Sequence, residues 1–110
     1  MAAEGSVLLV AETSHDSALV GAVYLRIYDT PPAPEMRPRR RLHVESLVVA
    51  KAQRRLSIGR NLMAAAEVWG RARGAEQVVL TVWAGNQNAA RFYRALGYEP
   101  AATVLSRELA

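Results

Sequence analysis

The chain has 110 residues, of which 51% are apolar and 22% are charged, and its formal net charge is +4. This size and composition are typical of one globular domain over residues 1–110 and exclude a disordered chain. No apolar run approaches the roughly 18 residues that span a bilayer, so we expect no membrane partner. The absence of cysteine excludes disulfide and thiolate chemistry, and without a signal-peptide pattern the expected location is cytoplasmic.

The positive charge suits polyanionic partners such as nucleic acid or phosphorylated cofactors. All but one of the 14 basic residues are arginines, which favours bidentate phosphate contacts but also follows from GC-rich coding. A cluster of arginines at residues 37–41 has no interleaved aromatic side chains on which bases could stack. We therefore interpret it as a solvated loop and expect no specific nucleic-acid partner.

The first half of the chain predicts three strands. Residues 7–12 and 18–28 are β-forming runs joined by a polar turn at residues 13–17, a length typical of a hairpin. Residues 30–41 hold four prolines and four arginines and form a loop, because proline cannot pair inside a sheet. Residues 42–49 are the third strand.

The second half predicts helices that alternate with strands. A helix begins at Leu56 or Ser57, runs to about Arg73 with apolar residues at helical spacing, and stops at Gly74. Residues 77–83 form a strand, and its position after a helix predicts a parallel βαβ unit.

The last part of the chain predicts one more helix and one more strand. Asn86 is a candidate N-cap for a helix that Gly97 ends, and residues 103–109 form a short last strand. The order of elements predicts an α+β domain with a mixed sheet.

A short basic turn lies between the third strand and the first helix. Backbone N–H groups at a helix start, together with the helix dipole, make a site for anions, and neighbouring arginines favour a phosphorylated ligand. The candidate ligand-binding residues are Arg54, Arg55, Leu56, Ser57, Ile58, Gly59 and Arg60.

Residues 86–98 read N-Q-N-A-A-R-F-Y-R-A-L-G-Y. They resemble the N-x-x-A-x-x-F-Y-x-x-L-G-F/Y signature of the GNAT superfamily, the acetyl-CoA-dependent N-acyltransferases. The basic turn is similar to that superfamily's acyl-CoA segment, R/Q-x-x-G-x-G/A. The resemblance implies a GNAT-like acyl-CoA N-acyltransferase fold, with a centrally splayed mixed sheet flanked by helices, and acetyl-CoA as co-substrate without a metal.

The chain departs from the superfamily pattern in two ways. Ser57 and Arg55 stand where glycines are common, and glycine is favoured where a backbone approaches phosphate or takes a positive φ. The match also begins near the family's second strand, so we expect the usual N-terminal strand and helices to be lacking. The faces that those elements cover would then be exposed, which predicts a homodimer, formed through such a face or by strand exchange near the C-terminus.

The resemblance implies two catalytic residues. Tyr93 corresponds to the general acid that protonates the departing thiolate, and the alternative is an aromatic residue packed in the core. Glu45 resembles the carboxylate that binds the amine or acts as a base through water. The alternative for Glu45 is a solvent-facing strand residue paired with one of Arg39–Arg41.

The cofactor-binding residues follow from the same resemblance. The backbone of Leu47, Val48 and Val49 would bind pantetheine, with the Val48 or Val49 N–H polarising the thioester carbonyl. Asn86 resembles the residue that bonds the pantetheine arm, although an N-cap explains it as well. His15 and His43 lack partners at metal-ligand spacing and are interpreted as structural or exposed.

The sequence therefore predicts an N-acetyltransferase that moves an acetyl group from acetyl-CoA to a primary amine of a small molecule or peptide. The alternative is a catalytically weak or inactive acyl-CoA-binding relative with a regulatory or dimer-partner role. The missing N-terminal elements and Ser57 motivate that alternative.

Overall fold

The structure is a computed structural model that describes residues 5–34, 37–51 and 57–110. The chain forms two compact units, one up to Leu80 and the other from Thr81 onwards. The first unit contains a four-stranded sheet and a long helix, and the second contains a short helix. In chain order the elements are β1 (Gly5–Glu12), β2 (Leu19–Asp29), β3 (Arg40–Val49), α1 (Ile58–Ala72), β4 (Gln77–Val79) and α2 (Gln87–Ala95).

The sheet of the first unit is mixed, with the strand order β1-β2-β3-β4. β1 pairs antiparallel with β2, and β2 pairs antiparallel with β3. β3 and β4 pair in parallel, on either side of α1 in the chain. This parallel pairing confirms the predicted βαβ unit, because parallel neighbours need a crossover connection between them.

The core lies between one face of the sheet and α1. Val23, Leu25 and Ile27 alternate along β2 with exposed or half-buried residues, as the two-residue period of a strand requires. Leu62 and Ala66, one helical turn apart on α1, are buried against this face. The matching periods explain why these residues form these elements, since each one buries an apolar face against the other.

A β-bulge interrupts β3 at Glu45. Val44 pairs with Leu25 of β2 and Ser46 pairs with the preceding residue Tyr24, so Glu45 is the extra residue. A bulge of this kind bends a strand and re-aims the side chains that follow it. Beyond the bulge, the side chains that face α1 are therefore the odd-numbered ones, beginning with Leu47.

Two predicted strands differ from the structure. The strand predicted over residues 77–83 ends at Val79, and the one predicted over residues 103–109 is not formed. Residues 99–110 have no regular structure, and Val104, Leu105 and Leu109 are almost fully exposed. The sequence shows a preference for extended backbone there, but a strand also requires a neighbour to pair with, and β preference depends on that context.

The predicted helix ends are confirmed. Gly74 and Gly97 both have positive φ, 83° and 97°, just after α1 and α2. No helix in the described ranges has the length and apolar character that crossing a membrane requires.

Gly21 sets the distance between β2 and the start of α1. A Cβ at this position would lie 3.0 Å from Cδ1 of Leu62, 3.1 Å from Cγ2 of Ile58 and 3.1 Å from the Val48 carbonyl oxygen. Gly21 also pairs with Val49 at the end of β3. The absence of a side chain at Gly21 therefore lets the start of α1 lie directly against β2, next to the end of β3.

We expect Gly21→Ala to destabilise the protein by about 1–3 kcal/mol, because the added methyl group overpacks a closed contact. Urea unfolding followed by circular dichroism measures the change. Gly5→Ala is the matched control, since a Cβ there has its nearest neighbour, Cγ2 of Ile27, at 4.0 Å. Equal stability of the two variants would show that the close approach at Gly21 is not a constraint.

Candidate functional site

The N-terminus of α1 has the geometry of an anion site. Ser57 is the N-cap, and the first intrahelical bond runs from the Asn61 N–H to the Ser57 carbonyl at 3.0 Å. The N–H groups of Ile58, Gly59 and Arg60 are therefore not used inside the helix and point out of its end. With no acidic residue in the first turn, the helix dipole leaves this end positive.

Ser57 adopts the backbone conformation that glycine prefers. Its φ is 64° and its ψ is 17°, in the left-handed region, and its side chain makes no capping hydrogen bond. Serine is a common N-cap residue because its hydroxyl can accept a bond from an N–H of the first helical turn. The serine does occupy the cap position, but it carries the backbone strain without the compensating side-chain bond.

The rest of the basic turn divides into two parts. Arg54, Arg55 and Leu56 lie outside the described residues, so nothing is said of their contacts. Ile58 and Gly59 are half-buried, and Arg60 is exposed in the first helical turn. An exposed guanidinium beside a helix N-terminus increases the positive potential there.

The end of β3 approaches this helix start directly. Leu47 pairs with the buried Val23, and Val49 pairs with Gly21, so both face α1, whereas Val48 is exposed on the other face. The ladder between β3 and β4 covers three pairs and ends where His43 meets Val79. β3 then continues to Val49 beyond the end of β4, which is the splayed arrangement predicted for the sheet.

Glu45 is part of a three-residue cluster on the sheet face opposite α1. Nε of Arg26 donates to Oε1 of Glu45 at 2.8 Å, and Nδ1 of His43 lies 3.0 Å from the same oxygen. The alternative from sequence, a pairing with one of Arg39–Arg41, does not describe these contacts. The hydrogen bond from Arg26 holds the pKa of Glu45 below its usual value, with His43 contributing further.

His43 is interpreted from sequence as structural or exposed, and its contact with Glu45 is not predicted. Nδ1 of His43 is fully buried, whereas the side chain as a whole keeps 24% of its accessible surface. Spacing could have indicated this contact, because residues i and i+2 of a strand share a face. The bulge then brings Glu45 toward Arg26. No pattern in the sequence predicts that contact.

An open cleft of about 490 Å³ lies between the β1–β2 turn and α1. Thr13, Ser14 and His15 line one side, and Ile58 and Asn61 line the other. The cleft borders the helix start but does not include Glu45. The cluster around Glu45 therefore does not line this cleft.

In the second unit, Asn86 caps α2. Its Oδ1 accepts a hydrogen bond from the Ala89 N–H at 3.1 Å. This is the N-cap that the sequence predicted, and it uses the acceptor of the side-chain amide. A role for Asn86 toward pantetheine stays a prediction.

Tyr93 lies on α2 in an aromatic cluster. Its ring packs edge-on against Phe92, with centroids 5.0 Å apart, and against Tyr98 at 5.8 Å. Burial raises the pKa of the Tyr93 phenol above its ordinary value, so the protonated form predominates at neutral pH. The phenol can thus donate a proton, which is the chemistry predicted for it.

Arginines in the loop before β3 and at the start of β3 are held by protein acceptors. Arg37 pairs with Glu76 at 3.0 Å, and Arg40 forms two bonds with Asp29. Nε of Arg41 donates to Gln77 at 2.8 Å. These guanidinium groups connect strands within the first unit. In the described ranges, no cluster of three or more acidic, histidine or cysteine side chains could hold a metal ion.

Comparisons with known proteins concern the fold and the family of the chain. The model of the acetyltransferase (GNAT) family matches residues 2–98. No curated protein matches the chain. A mutant of the BH1408 protein from Bacillus halodurans is 25% identical, with a TM-score of 0.89 over 98% of this chain and 68% of that one.

Two structures with lower identity share the fold. An acetyltransferase from Trypanosoma brucei is 24% identical, with a TM-score of 0.73 over 96% of this chain and 70% of that one. The aminoglycoside N-acetyltransferase AAC(6')-Iy, in complex with CoA, is 18% identical, with a TM-score of 0.76 over 94% of this chain and 75% of that one. The chain thus spans roughly two thirds to three quarters of these relatives. The family model covers most of the length of this chain. The chain therefore belongs to the GNAT acetyltransferase family.

Proposed function

We propose that the protein transfers an acetyl group from acetyl-CoA to a primary amine of a small molecule or peptide. One observation carries the proposal: the β3–β4 ladder ends at His43, and β3 runs on to Val49 just before the N-terminus of α1. A strand that extends beyond its parallel neighbour offers a slot for an extended ligand, and a helix start takes its phosphates. Acetyl-CoA combines these two parts in one molecule.

The cofactor would lie along the chain in a fixed order. Its pantetheine arm would follow the backbone of Leu47, Val48 and Val49 as an added strand does. Its pyrophosphate would accept bonds from the N–H groups of residues 58–60, with Arg60 beside it. Arg54, Arg55 and Leu56 belong to the same family segment and stay predicted ligands. The CoA complex of the similarly folded aminoglycoside N-acetyltransferase supports this choice of cofactor.

The chemistry assigned to the site needs an anionic partner for the amine, an oxyanion donor and an acid. The negative charge of Glu45 attracts a cationic acceptor. The Val48 or Val49 N–H would stabilise the oxygen of the tetrahedral intermediate. The Tyr93 phenol, kept protonated by burial, would protonate the departing thiolate.

We also propose that the protein is a homodimer. Leu8 and Val10 of β1, Tyr24 of β2 and Val48 of β3 are exposed on the sheet face opposite α1. Apolar side chains grouped in this way usually indicate a contact surface. A second copy of the chain would bury them.

Tyr93→Phe should lower kcat by about 10²-fold and leave CoA affinity nearly unchanged, because it removes one proton donor and keeps the ring. Thiol release during turnover and calorimetric titration with CoA measure the two quantities. Tyr98→Phe, in the same aromatic cluster, is the control and should retain the rate. Parallel losses of rate and CoA affinity would contradict the role of Tyr93 as the acid.

CoA binding by the wild type without turnover on any amine would instead select the inactive acyl-CoA-binding alternative.

Ser57→Gly should stabilise the protein by roughly 0.5–1 kcal/mol, since relief of the left-handed strain exceeds the entropy cost of glycine. It should also strengthen CoA binding, because glycine lets the backbone approach a phosphate. Ser17→Gly is the matched control, with a φ of 57° in the β1–β2 turn; it should gain similar stability and leave CoA affinity unaltered. Weaker CoA binding by Ser57→Gly would argue against a phosphate at this helix start.

Light scattering tests the dimer. The expected mass is twice the chain mass of 12.0 kDa. Leu8→Arg should shift the protein toward monomer, because it places a charge among the exposed apolar side chains of the sheet. Val68→Arg, at an exposed position of α1, is the control and should not change the mass. A wild-type mass of one chain would refute the dimer.

A further inference from the structure

Arg26, His43 and Glu45 form a cluster of side chains on the sheet face opposite α1. Arg26 and His43 are directly opposite each other on β2 and β3, and Glu45 is the bulged residue two positions further on. One carboxylate oxygen therefore receives the Arg26 Nε–H and faces His43 Nδ1, at 2.8 Å and 3.0 Å. A guanidinium can only donate, so Glu45 accepts the hydrogen bond from Arg26.

A carboxylate at this position would favour a proton on Nδ1 of His43. An imidazole nitrogen that faces a carboxylate is the protonated one, and the other nitrogen then keeps its lone pair. The angle at Nδ1 falls short of a regular hydrogen bond, as is common for catalytic contacts before substrate binds. Because Nδ1 is buried and the side chain as a whole keeps 24% of its accessible surface, the exposed surface of His43 belongs to atoms other than Nδ1.

His43 also occupies a defined place in the splayed sheet. It forms the last pair of the β3–β4 ladder, opposite Val79. The proposed pantetheine slot begins beyond this pair and runs toward Leu47, Val48 and Val49. The imidazole is thus held at the closed end of the slot, where the reacting end of an extended cofactor arm arrives.

We propose that His43 is the base that accepts the proton of the acceptor ammonium group, and that Glu45, anchored by Arg26, is the positioning carboxylate that holds the imidazole. This inference rests on the proposed acetyl transfer. It assigns the proton-accepting role to a residue other than the carboxylate to which the family resemblance pointed.

The chemistry of the two candidates favours histidine. A primary ammonium group has a pKa near 10.4, and its proton moves most easily to a base that titrates near the working pH. Arg26 lowers the pKa of Glu45, which makes that carboxylate a weaker base and a better permanent anion. A permanent anion beside an imidazole stabilises the imidazolium that forms, as the aspartate of a Ser-His-Asp triad does.

The proton balance closes with groups already assigned. His43 takes one proton from the ammonium group, and the free amine forms a C–N bond to the thioester carbonyl carbon. The C–S bond breaks with its electron pair on sulfur, and the Tyr93 phenol protonates the thiolate. The amide nitrogen loses its remaining extra proton through solvent to the phenolate, and the His43 imidazolium releases its proton to bulk water.

A pH profile is the first test, so the groups around His43 matter. The residue opposite it on β4, Val79, carries no charge. The charged and titratable groups of β2 and β3 on the same face are Tyr24, Arg26, Tyr28, Arg41 and Glu45. On β1, Glu12 lies on this face at the far end of the strand, paired with Leu19. Arginines and tyrosines do not change charge between mildly acidic and neutral pH, and Glu45 titrates below its usual range. An acid limb that His43→Gln removes would therefore report His43.

The experiment measures thiol release from acetyl-CoA with a saturating primary amine, across mildly acidic to alkaline pH. We expect the wild-type kcat/KM to fall on the acid side with unit slope. His43→Gln should lower kcat by about 10²-fold and remove that limb, because glutamine can donate to Glu45 but cannot accept a proton. Added imidazole should restore part of the rate of His43→Ala, and His15→Gln, in the exposed β1–β2 turn, should behave as wild type.

Glu45→Gln separates positioning from catalysis. We expect its acid limb to move to lower pH, because the imidazolium loses the anion that favours it. Nitrogen NMR of the imidazole provides a reading without turnover: the proton should reside on Nδ1 in the wild type, and this preference should be lost in Glu45→Gln.

The outcomes are distinguishable. A wild type that turns over, with His43→Gln retaining both its rate and its acid limb, overturns the role of His43 and leaves the acetyltransferase intact. A wild type that releases no thiol on any amine overturns the proposed function, and the base assigned within it falls as well. A proton found on Nε2 in the wild type overturns the His43–Glu45 arrangement whatever the activity.

Discussion

The β-bulge at Glu45 is the local constraint on which the candidate site depends. One extra residue in β3, opposite the step from Tyr24 to Leu25, changes which side chains face α1. Leu47 and Val49 thereby join the apolar side of the sheet, while Glu45 contacts Arg26 and His43 on the other side. Bulges often occur next to active sites because they re-aim side chains at little cost to the fold. Here the bulge separates a packed strand end from a charged cluster within a few residues.

Close packing at Gly21 complements the bulge. The missing side chain allows Ile58 and Leu62 of α1 to lie against β2 beside Val49, so the helix start packs close to the end of β3. The free N–H groups of the first helical turn are then aimed by the core rather than by a flexible loop. Ser57 bears the cost of this turn, with a left-handed backbone and no capping bond.

The sequence predicted much of this fold, because period and turn chemistry are local. The alternating residues of β2, the α1 stripe and the glycines after both helices led to the correct elements. The strand expected over residues 103–109 was wrong, because strand formation needs a partner that local preference does not supply. The N-cap at Asn86 was predicted correctly, and the catalytic role of Tyr93 stays a prediction. The contact of His43 with Glu45 was not predicted, although the two residues share a face of β3.

The sequence by itself thus determined the family and the order of the elements from β1 to α2. These depend on side-chain identity and on spacing along one chain, which folding does not alter. The tertiary structure alone decided the partners of Glu45 and the strain at Ser57. Those properties arise from strand register, from the bulge and from the backbone conformation at the start of α1. Each of them depends on residues that are distant in sequence and meet only through pairing and packing.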